Sequence, residues 1–417
     1  MTADLGQPAL LELIGRTPVA RVRAGNSWYT AKLESVSVGG MKARAAVSML
    51  AAAAARGDLR PGATIIESTS GTLGLGLALA GKALGHPVRL VVDDELEPDL
   101  RGLFSAYGIE LEVVTEPHPT GGWQQARLDR LAELLAATPG AYWPDQYDNP
   151  DNASGYRAMG EEILDQVDTV DVLVASIGSG GHCAGLTRVL RERWPHLRVI
   201  GVDAVGSRIF GQPDRRRLMR GLGSSILPRN VAYPDFDEVH WVDATEAVAS
   251  CRRLAATTGL AGGWSTGATA LVAGWVAEHE PDTRVLTVFP DGPHRYLRTI
   301  YNDDWCHHHG LLTTPAPTPA LISAPNSEIA HGWARCTIVS DPAADRGPAP
   351  ANSRAHSATR ELGTGHAAVS PSVSATHEPA SVGAVIRGNT ALDDAGTSRD
   401  SQDNGATGRE TANGVTS

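Results

Sequence analysis

Before residue 311 the apolar residues form two kinds of segment, short continuous runs typical of buried strands and longer segments typical of helices. The segment at 63–67, ATIIE, is a short apolar run that predicts a buried strand, and PVRLVVD at 87–93 predicts another. Between them, LGLALAGKALG is typical of a helix that ends at Gly85. A strand, a helix and a strand in this order predict a βαβ unit, with the glycine-rich segment STSGTLG as the turn into the helix.

The same order recurs further along the chain. A strand is predicted at 171–177 (DVLVASI), followed by the turn GSGG, a helix in HCAGLTRVLRERW and a strand at 198–204 (RVIGVDA). Another strand at 284–290 (RVLTVFP) runs into DGPHRYL. Strands that alternate with helices predict an α/β protein with mostly parallel sheets, in which ligands bind at the carboxyl ends of the strands. The glycine-rich turns lie at such ends.

The composition changes near residue 311. From there to residue 417 the chain is rich in Pro, Ser, Thr, Ala, Gly and Asn and has no sustained helical or strand period. Such a segment buries too little apolar surface to offset its chain entropy. We therefore expect residues 1–310 to form the folded core and residues 311–417 to be a disordered low-complexity tail, whose removal leaves folding and turnover nearly unchanged.

Charge and composition exclude several classes of partner. A formal net charge of −11 gives no basic footprint for nucleic acid or an anionic membrane, so neither is expected as a partner. The N-terminus has no basic region before an apolar stretch, and no apolar run is long enough for a bilayer, so we expect a cytoplasmic protein. Four cysteines without a CxxC pair indicate reduced thiols. No metal site is expected, because the adjacent residues of CHHHG at 306–310 cannot all face one ion.

The two glycine-rich turns each have two interpretations. GSGG at 178–181 is either a tight turn or a cup of backbone N–H groups that holds a phosphate at a helix N-terminus. Its spacing does not fit the G-x-G-x-x-G pattern of dinucleotide-binding folds. TSGTLG at 69–74 is either a helix start capped by Ser70 or Thr72, or a loop of hydroxyls and amides shaped for a carboxylate.

Lys42 occupies an unusual position for a lysine. GGMKAR at 39–44 begins an alanine-rich helix, and this places Lys42 in the first turn, where the helix dipole disfavours a cation. The position suits a lysine that must lose its proton, whereas an ordinary solvated lysine is the alternative. Lys32 belongs to a predicted strand, and Lys82 lies far along its helix, so neither is favoured as a nucleophile.

Seven segments in order carry a family resemblance: LIGRTPVARV, AKLES, GGMKAR, ESTSGTLGLGLA, DQYDNPDN, GSGG and FPDGPHRYL. Together they resemble the cysteine synthase/cystathionine β-synthase family of fold-type-II pyridoxal-phosphate enzymes, over roughly residues 10–305. More narrowly, EPHPTGGWQ at 116–124, PDQYDNPDN and FPDGPHRY resemble the actinobacterial L-cysteine desulfhydrase branch. The resemblance implies a fold like that of the tryptophan synthase β-subunit, a smaller mobile subdomain at about 43–145, a larger subdomain from the remainder, and a homodimer.

The resemblance also implies roles for individual residues. Lys42 would form the Schiff base with pyridoxal phosphate. The residues that would bind the phosphate are Gly178, Ser179, Gly180, Gly181 and His182. The residues that would bind the carboxylate of a small amino-acid substrate are Thr69, Ser70, Gly71, Thr72 and Gln146. Gly221 and Gly223 would form a loop beside the cofactor.

Three departures from the family pattern bear on the reaction. Ala43 stands where Asp is common, Thr72 replaces an asparagine that normally contacts the cofactor ring, and Gly292 replaces a serine that normally faces the pyridine nitrogen. His294 or a water would then serve the nitrogen, or it would lack a partner. A remodelled carboxylate loop favours β-elimination of L-cysteine to hydrogen sulfide, pyruvate and ammonia. The alternatives are β-replacement, as in a cysteine or cystathionine synthase, and a non-catalytic cofactor-binding or interaction protein.

Overall fold

The computed structural model describes residues 8–329, 332–342 and 344, which form an α/β protein with two sheets. Within these residues the strands are β1 (Val19–Ala24), β2 (Ser27–Lys32), β3 (Ile65–Ser68), β4 (Val88–Asp93), β5 (Glu110–Val114), β6 (Val172–Ser176), β7 (Arg198–Ala204), β8 (Glu238–Val242), β9 (Val285–Val288), β10 (Ala320–Leu321) and β11 (Trp333–Cys336). The α-helices are α1 (Pro8–Glu12), α2 (Lys42–Arg56), α3 (Thr72–Leu84), α4 (Pro98–Ala106), α5 (Gly122–Ala137), α6 (Pro150–Ser154), α7 (Arg157–Gln166), α8 (Gly181–Arg193), α9 (Ala244–Thr258), α10 (Trp264–His279) and α11 (Asp303–His308).

The smaller sheet is fully parallel, with strand order β3-β4-β5. It confirms the first predicted βαβ unit: β3, α3 and β4 follow one another, and Gly85 ends α3 with a φ of 76°. The sheet is covered by α3 on one side and by α5 on the other, because both faces of its strands are apolar. These elements lie within the predicted smaller subdomain, and the mobility of that subdomain stays a prediction.

The larger sheet has the strand order β1-β2-β9-β6-β7-β8-β11-β10. Its five central strands, β2, β9, β6, β7 and β8, run parallel. At the two sides of this group, β1 pairs antiparallel with β2 and β11 pairs antiparallel with β8, whereas β10 pairs parallel with β11. The second predicted βαβ unit is confirmed as β6, α8 and β7. Because β6 and β9 are neighbours, the segments that follow them, GSGG and DGPHRYL, emerge at the same edge of the sheet.

The expectation of a disordered tail is wrong for the part that includes β11. Trp333 is 1% exposed, and its Nε1 donates a hydrogen bond to His240 Nδ1 at 3.0 Å, while Arg335 Nη1 lies 3.0 Å from Glu238 Oε1. Four residues are too short to produce a periodic signal inside a polar segment, and only the free edge of β8 gives them a structure. The remainder of the predicted tail, from residue 345 to residue 417, lies outside the described residues.

The helices differ in length and in apolar character. In the described part of the chain, none is both long and apolar enough to cross a membrane.

Candidate active site

Lys42 is the first residue of α2, and the start of this helix is fixed on two sides. The Met41 N–H donates to the Pro290 carbonyl at 2.8 Å, which attaches the helix to the end of β9. Ala43 packs directly against Gly76 of α3, where any side chain would meet the α2 backbone at 2.8–3.1 Å. Ala43 is fully buried there, which gives a packing reason for a small residue where Asp is common in the family.

The Lys42 ammonium is disfavoured by its surroundings. The pKa of Lys42 is lowered to about 8, mainly by burial. The positive charge of Arg295 also lowers this pKa, and the negative charge of Asp291 raises it by a smaller amount. The sequence predicted a lowered pKa from the helix N-terminus and partial burial, and in the structure burial is the main cause. The neutral amine, which a lysine nucleophile requires, is therefore far more abundant near neutral pH than in an ordinary solvated lysine.

The chain has three lysines, and the other two are unsuited to this role. Lys32 is fully buried, and its Nζ lies 2.6 Å from Glu162 Oε2 and 2.5 Å from the Thr17 carbonyl. Lys82 is exposed on α3. Lys42 is the one that lines a cleft, together with Met41, Thr72, Tyr156, Ser176, Gly178, Ser179, His182, Arg220, Gly221, Ser265, Pro290, Asp291 and Tyr296.

A buried network of four charges holds α2 in place two residues after Lys42. Arg44 donates to Glu34 at 2.8 Å through Nε and to Glu162 at 2.8 Å through Nη1, and Glu162 also accepts from Lys32. Burial alone would raise the pKa of Glu162, but the hydrogen bonds from Arg44 and Lys32 outweigh it and lower the pKa to about 2. Two cations and two anions are thus paired at the base of the helix that carries Lys42.

Glu162→Gln is expected to destabilise the fold by about 3–5 kcal/mol, because it leaves Lys32 and half of Arg44 buried without a counter-charge. Glu161→Gln, on the exposed face of the same helix, is the matched control and should cost less than about 0.5 kcal/mol. Because the pKa of Glu162 is lower in the folded state, its contribution is full above about pH 4.5 and disappears as the pH falls towards 2. Urea unfolding of both variants between pH 3 and pH 7 checks this, and equal midpoints would contradict it.

GSGG turns the chain from β6 into α8, and its role as a phosphate cup stays a prediction. Gly180 has a φ of 84°, in the left-handed region that favours glycine, and α8 begins at the next residue. No hydrogen bond among the described residues uses the backbone N–H groups of residues 179–182. Free N–H groups at a helix N-terminus form a binding site for an anion such as a phosphate.

His182 and Asn152 complete this cup. His182 is 6% exposed, and its Nε2 has no hydrogen-bond partner among the described residues, although the ring lines the cleft. Burial and the charge of Lys42 lower the pKa of His182 to about 4, so the ring is neutral. Asn152 Nδ2 lies 3.3 Å from Ser179 Oγ. Asn152 Nδ2 also donates to the Gln146 carbonyl at 2.6 Å, so it supports the turn. The free N–H groups and His182 Nε2 fit the phosphate of pyridoxal phosphate, with Lys42 in the same cleft.

The TSGTLG loop lies between β3 and α3, and its residues differ in their surroundings. Thr69 is buried, and its hydroxyl accepts from the N–H groups of Gly71 at 3.0 Å and Gly74 at 3.2 Å, so it holds the loop together. Gly71 has a φ of 144°, and a side chain there would collide with Arg295. Thr72 lines the cleft, but its hydroxyl accepts a hydrogen bond from Arg295. Ser70 is partly exposed, and its carbonyl faces Arg295 at 3.5 Å.

Of the remaining predicted residues, one lines the Lys42 cleft and two contact the loops around it. Gly221 lines the cleft, whereas Gly223 packs against Ala204 and Ser207 and does not line it. Gln146 is 4% exposed, and its Nε2 donates to the Ser68 carbonyl at 2.7 Å, just before the TSGTLG loop. Gly223 and Gln146 therefore act on the site through the loops that they hold.

Gly292 has a candidate replacement for the missing serine close by. A Cβ on Gly292 would lie 3.1 Å from His294 Nδ1, so the imidazole occupies the space beside the position of the family's serine. Ser265 and Asp291 line the Lys42 cleft, whereas His294 is not among its lining residues. Asp291 already accepts a hydrogen bond from the Tyr296 hydroxyl at 2.7 Å. The partner of the pyridine nitrogen therefore stays a prediction.

Sequence reasoning missed the arginines around the cleft. Arg220 lines it, and its Nη2 lies 2.8 Å from Asp93 Oδ1 at the end of β4; Arg127 binds the other oxygen of Asp93. Arg295 Nη2 lies 3.2 Å from Glu97. The Arg220 and Arg295 pairs join the end of β4 and the segment after it to loops of the larger sheet, whereas Arg127 lies on α5. Isolated arginines far apart in sequence give no signal of such pairing.

The fold and the site together define a fold-type-II pyridoxal-phosphate enzyme. The sequence profile of the family described as "Pyridoxal-phosphate dependent enzyme" matches residues 10–291, which is more than half of the chain. The chain belongs to this family, among relatives of the cysteine synthase and cystathionine β-synthase type.

Individual relatives differ in the reaction that their names state. The chain is 36% identical over 305 residues to N-(2-amino-2-carboxyethyl)-L-glutamate synthase of Ralstonia nicotianae, covering 71% of this chain and 90% of that protein. It resembles the O-acetylserine-dependent cystathionine β-synthase of Helicobacter pylori with a TM-score of 0.66, at 30% identity over 70% of this chain and 98% of that one. A hydrogen sulfide-producing enzyme of Fusobacterium nucleatum gives a TM-score of 0.65, at 26% identity over 69% of this chain and 99% of that one.

Proposed function

We propose that this protein catalyses β-replacement, in which a serine derivative loses its β-substituent and the amine of a second amino acid takes its place. The observation that carries the proposal is the Lys42 cleft, where a lysine of lowered pKa, a cup of free N–H groups and the TSGTLG loop surround one space. The relative from Ralstonia supports the choice of nucleophile, since its name describes a three-carbon amino-acid unit on the nitrogen of glutamate.

Each part of the cleft has a task in this reaction. The N–H groups of residues 179–182 bind the phosphate group of pyridoxal phosphate. When bound, the cofactor withdraws electrons from the α-carbon of the substrate. The amides of the TSGTLG loop bind the substrate carboxylate, which orients the α-hydrogen towards Lys42. Lys42 Nζ accepts the α-proton as the β-substituent leaves, and its lowered pKa makes the neutral amine available for this step.

Elimination of L-cysteine to hydrogen sulfide is the second candidate. The altered carboxylate loop favours this candidate, since Thr72 stands where the family has an asparagine and its hydroxyl accepts a hydrogen bond from Arg295. The hydrogen sulfide-producing enzyme of Fusobacterium supports this candidate at lower identity than the synthase relatives.

Product analysis separates the two candidates. The purified enzyme with pyridoxal phosphate is incubated with O-acetyl-L-serine or O-phospho-L-serine and with L-glutamate, and mass spectrometry is used to detect the N-linked adduct. A parallel reaction with L-cysteine alone is assayed for sulfide and pyruvate. We expect the adduct to form faster than pyruvate. Pyruvate and ammonia as the sole products in every reaction would contradict replacement.

A further inference from the structure

A second cleft of about 520 Å³ is lined by two chain segments that also contribute to the Lys42 site. Gln146, which donates to the Ser68 carbonyl, lies in the chain between Asp145 and Tyr147, and both of these line the second cleft. Gly221 lines the Lys42 cleft, and the same loop reaches the second cleft at Ser225. The second cleft is therefore built on the supports of the TSGTLG and Gly221 loops.

An acidic and a basic side chain face this cleft without pairing. Asp145 and Arg208 both line it, and among the described residues neither forms an ion pair, with the other or with any third group. The Arg208 guanidinium makes one hydrogen bond, to the Ser225 carbonyl at 3.4 Å. Asp145 comes from the segment after α5 and Arg208 from the segment after β7. A carboxylate and a guanidinium on different segments, each unpaired, match the ammonium and the carboxylate of an α-amino acid.

The backbone at Asp145 adopts an uncommon conformation. Its φ is 54°, in the left-handed region that residues other than glycine seldom adopt, although Asp and Asn tolerate it best. Burial, and next the charge of Asp148, raise the pKa of Asp145 to about 7. A cationic ligand would relieve this repulsion, whereas Asp148 is already occupied by Arg229 at 3.5 Å.

Other groups in the cleft suit the same ligand. His118 Nδ1 accepts from the N–H groups of Thr120 and Gly121, so in the neutral ring Nε2 carries the proton and can donate to a carboxylate. Trp143 and Tyr147 also line the cleft, and aromatic faces attract an ammonium group.

We infer that this outer cleft binds the second amino-acid substrate, with Asp145 taking its ammonium group and Arg208 its carboxylate. The inference rests on the proposed β-replacement, because only that reaction has a second amino-acid substrate. The binding of an amino acid in the outer cleft can be measured whether or not the reaction occurs. Asp145 and Arg208 are then specificity-determining residues for the incoming nucleophile, and they have no part in the removal of the α-proton by Lys42.

The test uses enzyme loaded with pyridoxal phosphate and reduced with borohydride, which prevents amino acids from reacting with the cofactor. Calorimetric titrations with L-glutamate, L-aspartate, L-alanine and L-homocysteine are expected to show binding of at least one. Glutarate, which lacks the ammonium group, should bind at least about tenfold more weakly than L-glutamate if L-glutamate is bound. No binding of any of the four amino acids would overturn the inference.

Variants locate the binding. Asp145→Asn preserves the tolerance for a left-handed backbone, and it and Arg208→Gln should each weaken binding about tenfold or more. The matched controls Asp282→Asn and Arg157→Gln are exposed residues outside both clefts and should bind normally. Unchanged affinity in both cleft variants would place the amino acid elsewhere.

Kinetics separate this inference from the proposed function. In the unreduced enzyme, the two cleft variants should raise the KM for the nucleophile and leave the KM for O-acetyl-L-serine unchanged. If both variants formed the adduct with unaltered KM values, the outer cleft would not be the binding site of the nucleophile, and β-replacement would still be supported. If an amino acid bound in a manner that depends on Asp145 and Arg208 but no adduct formed, the binding site would be supported and β-replacement would be rejected.

Discussion

Lys42→Ala is expected to lower turnover by at least about a thousandfold, because in the proposed reaction it removes both the amine that holds the cofactor and the base that accepts the α-proton. The fold should tolerate the change, since the start of α2 is fixed by Met41 on Pro290 and by Arg44 in its charge network. Turnover of O-acetyl-L-serine, measured together with the melting temperature, tests both parts.

Lys82→Ala is the matched control for this prediction, since Lys82 is an exposed lysine on α3. Its turnover should equal that of the unmodified enzyme. If Lys42→Ala kept more than about a tenth of the original rate with a normal melting temperature, Lys42 would not be the residue that moves the proton.

A chain that ends at residue 310 is expected to lose most of its stability. It lacks β11, and the loss of a buried tryptophan such as Trp333 costs about 3–5 kcal/mol by itself. The truncation also removes the ladder along β8 and the Trp333 partner of the fully buried His240. A typical domain has a net stability of about 5–15 kcal/mol, so this loss affects a large share of it.

A chain that ends at residue 344 is the control, because it retains both β10 and β11 and the pairing of β11 with β8. Denaturant midpoints and soluble yields of the two truncated chains are compared with those of the full chain. Trp333→Ala in the full chain provides a second measure, with an expected loss of about 3–5 kcal/mol. Equal midpoints for chains ending at 310 and at 344 would show that β11 contributes nothing to stability.

The sequence was sufficient for elements whose signal is local. The apolar runs of β3 and β4, the glycine that ends α3 and the glycine-rich turn before α8 each depend on neighbouring residues, and the structure confirms them. The position of Lys42 at the start of α2 is equally local. These features predicted the fold class, and they favoured Lys42 over the other two lysines as the candidate nucleophile.

Features that depend on distant partners were beyond the sequence. The pairing of β11 with β8 joins residues about ninety positions apart, and Arg220 meets Asp93 across 127 positions. Thr72 also illustrates this limit, since its type suggests a free hydroxyl, yet Arg295 from a remote loop occupies it. The unpaired charges of Asp145 and Arg208 become visible only when their segments form one cleft.

The location of the covalent cofactor tests the role of Lys42 most directly. The enzyme with bound pyridoxal phosphate is reduced with borohydride and digested, and the peptides are mapped by mass spectrometry. With three lysines in the chain, the result assigns the attachment to one of them. We predict the mass of the cofactor on the peptide that contains Lys42. Attachment to Lys32 or Lys82, or no attachment at all, would contradict this role.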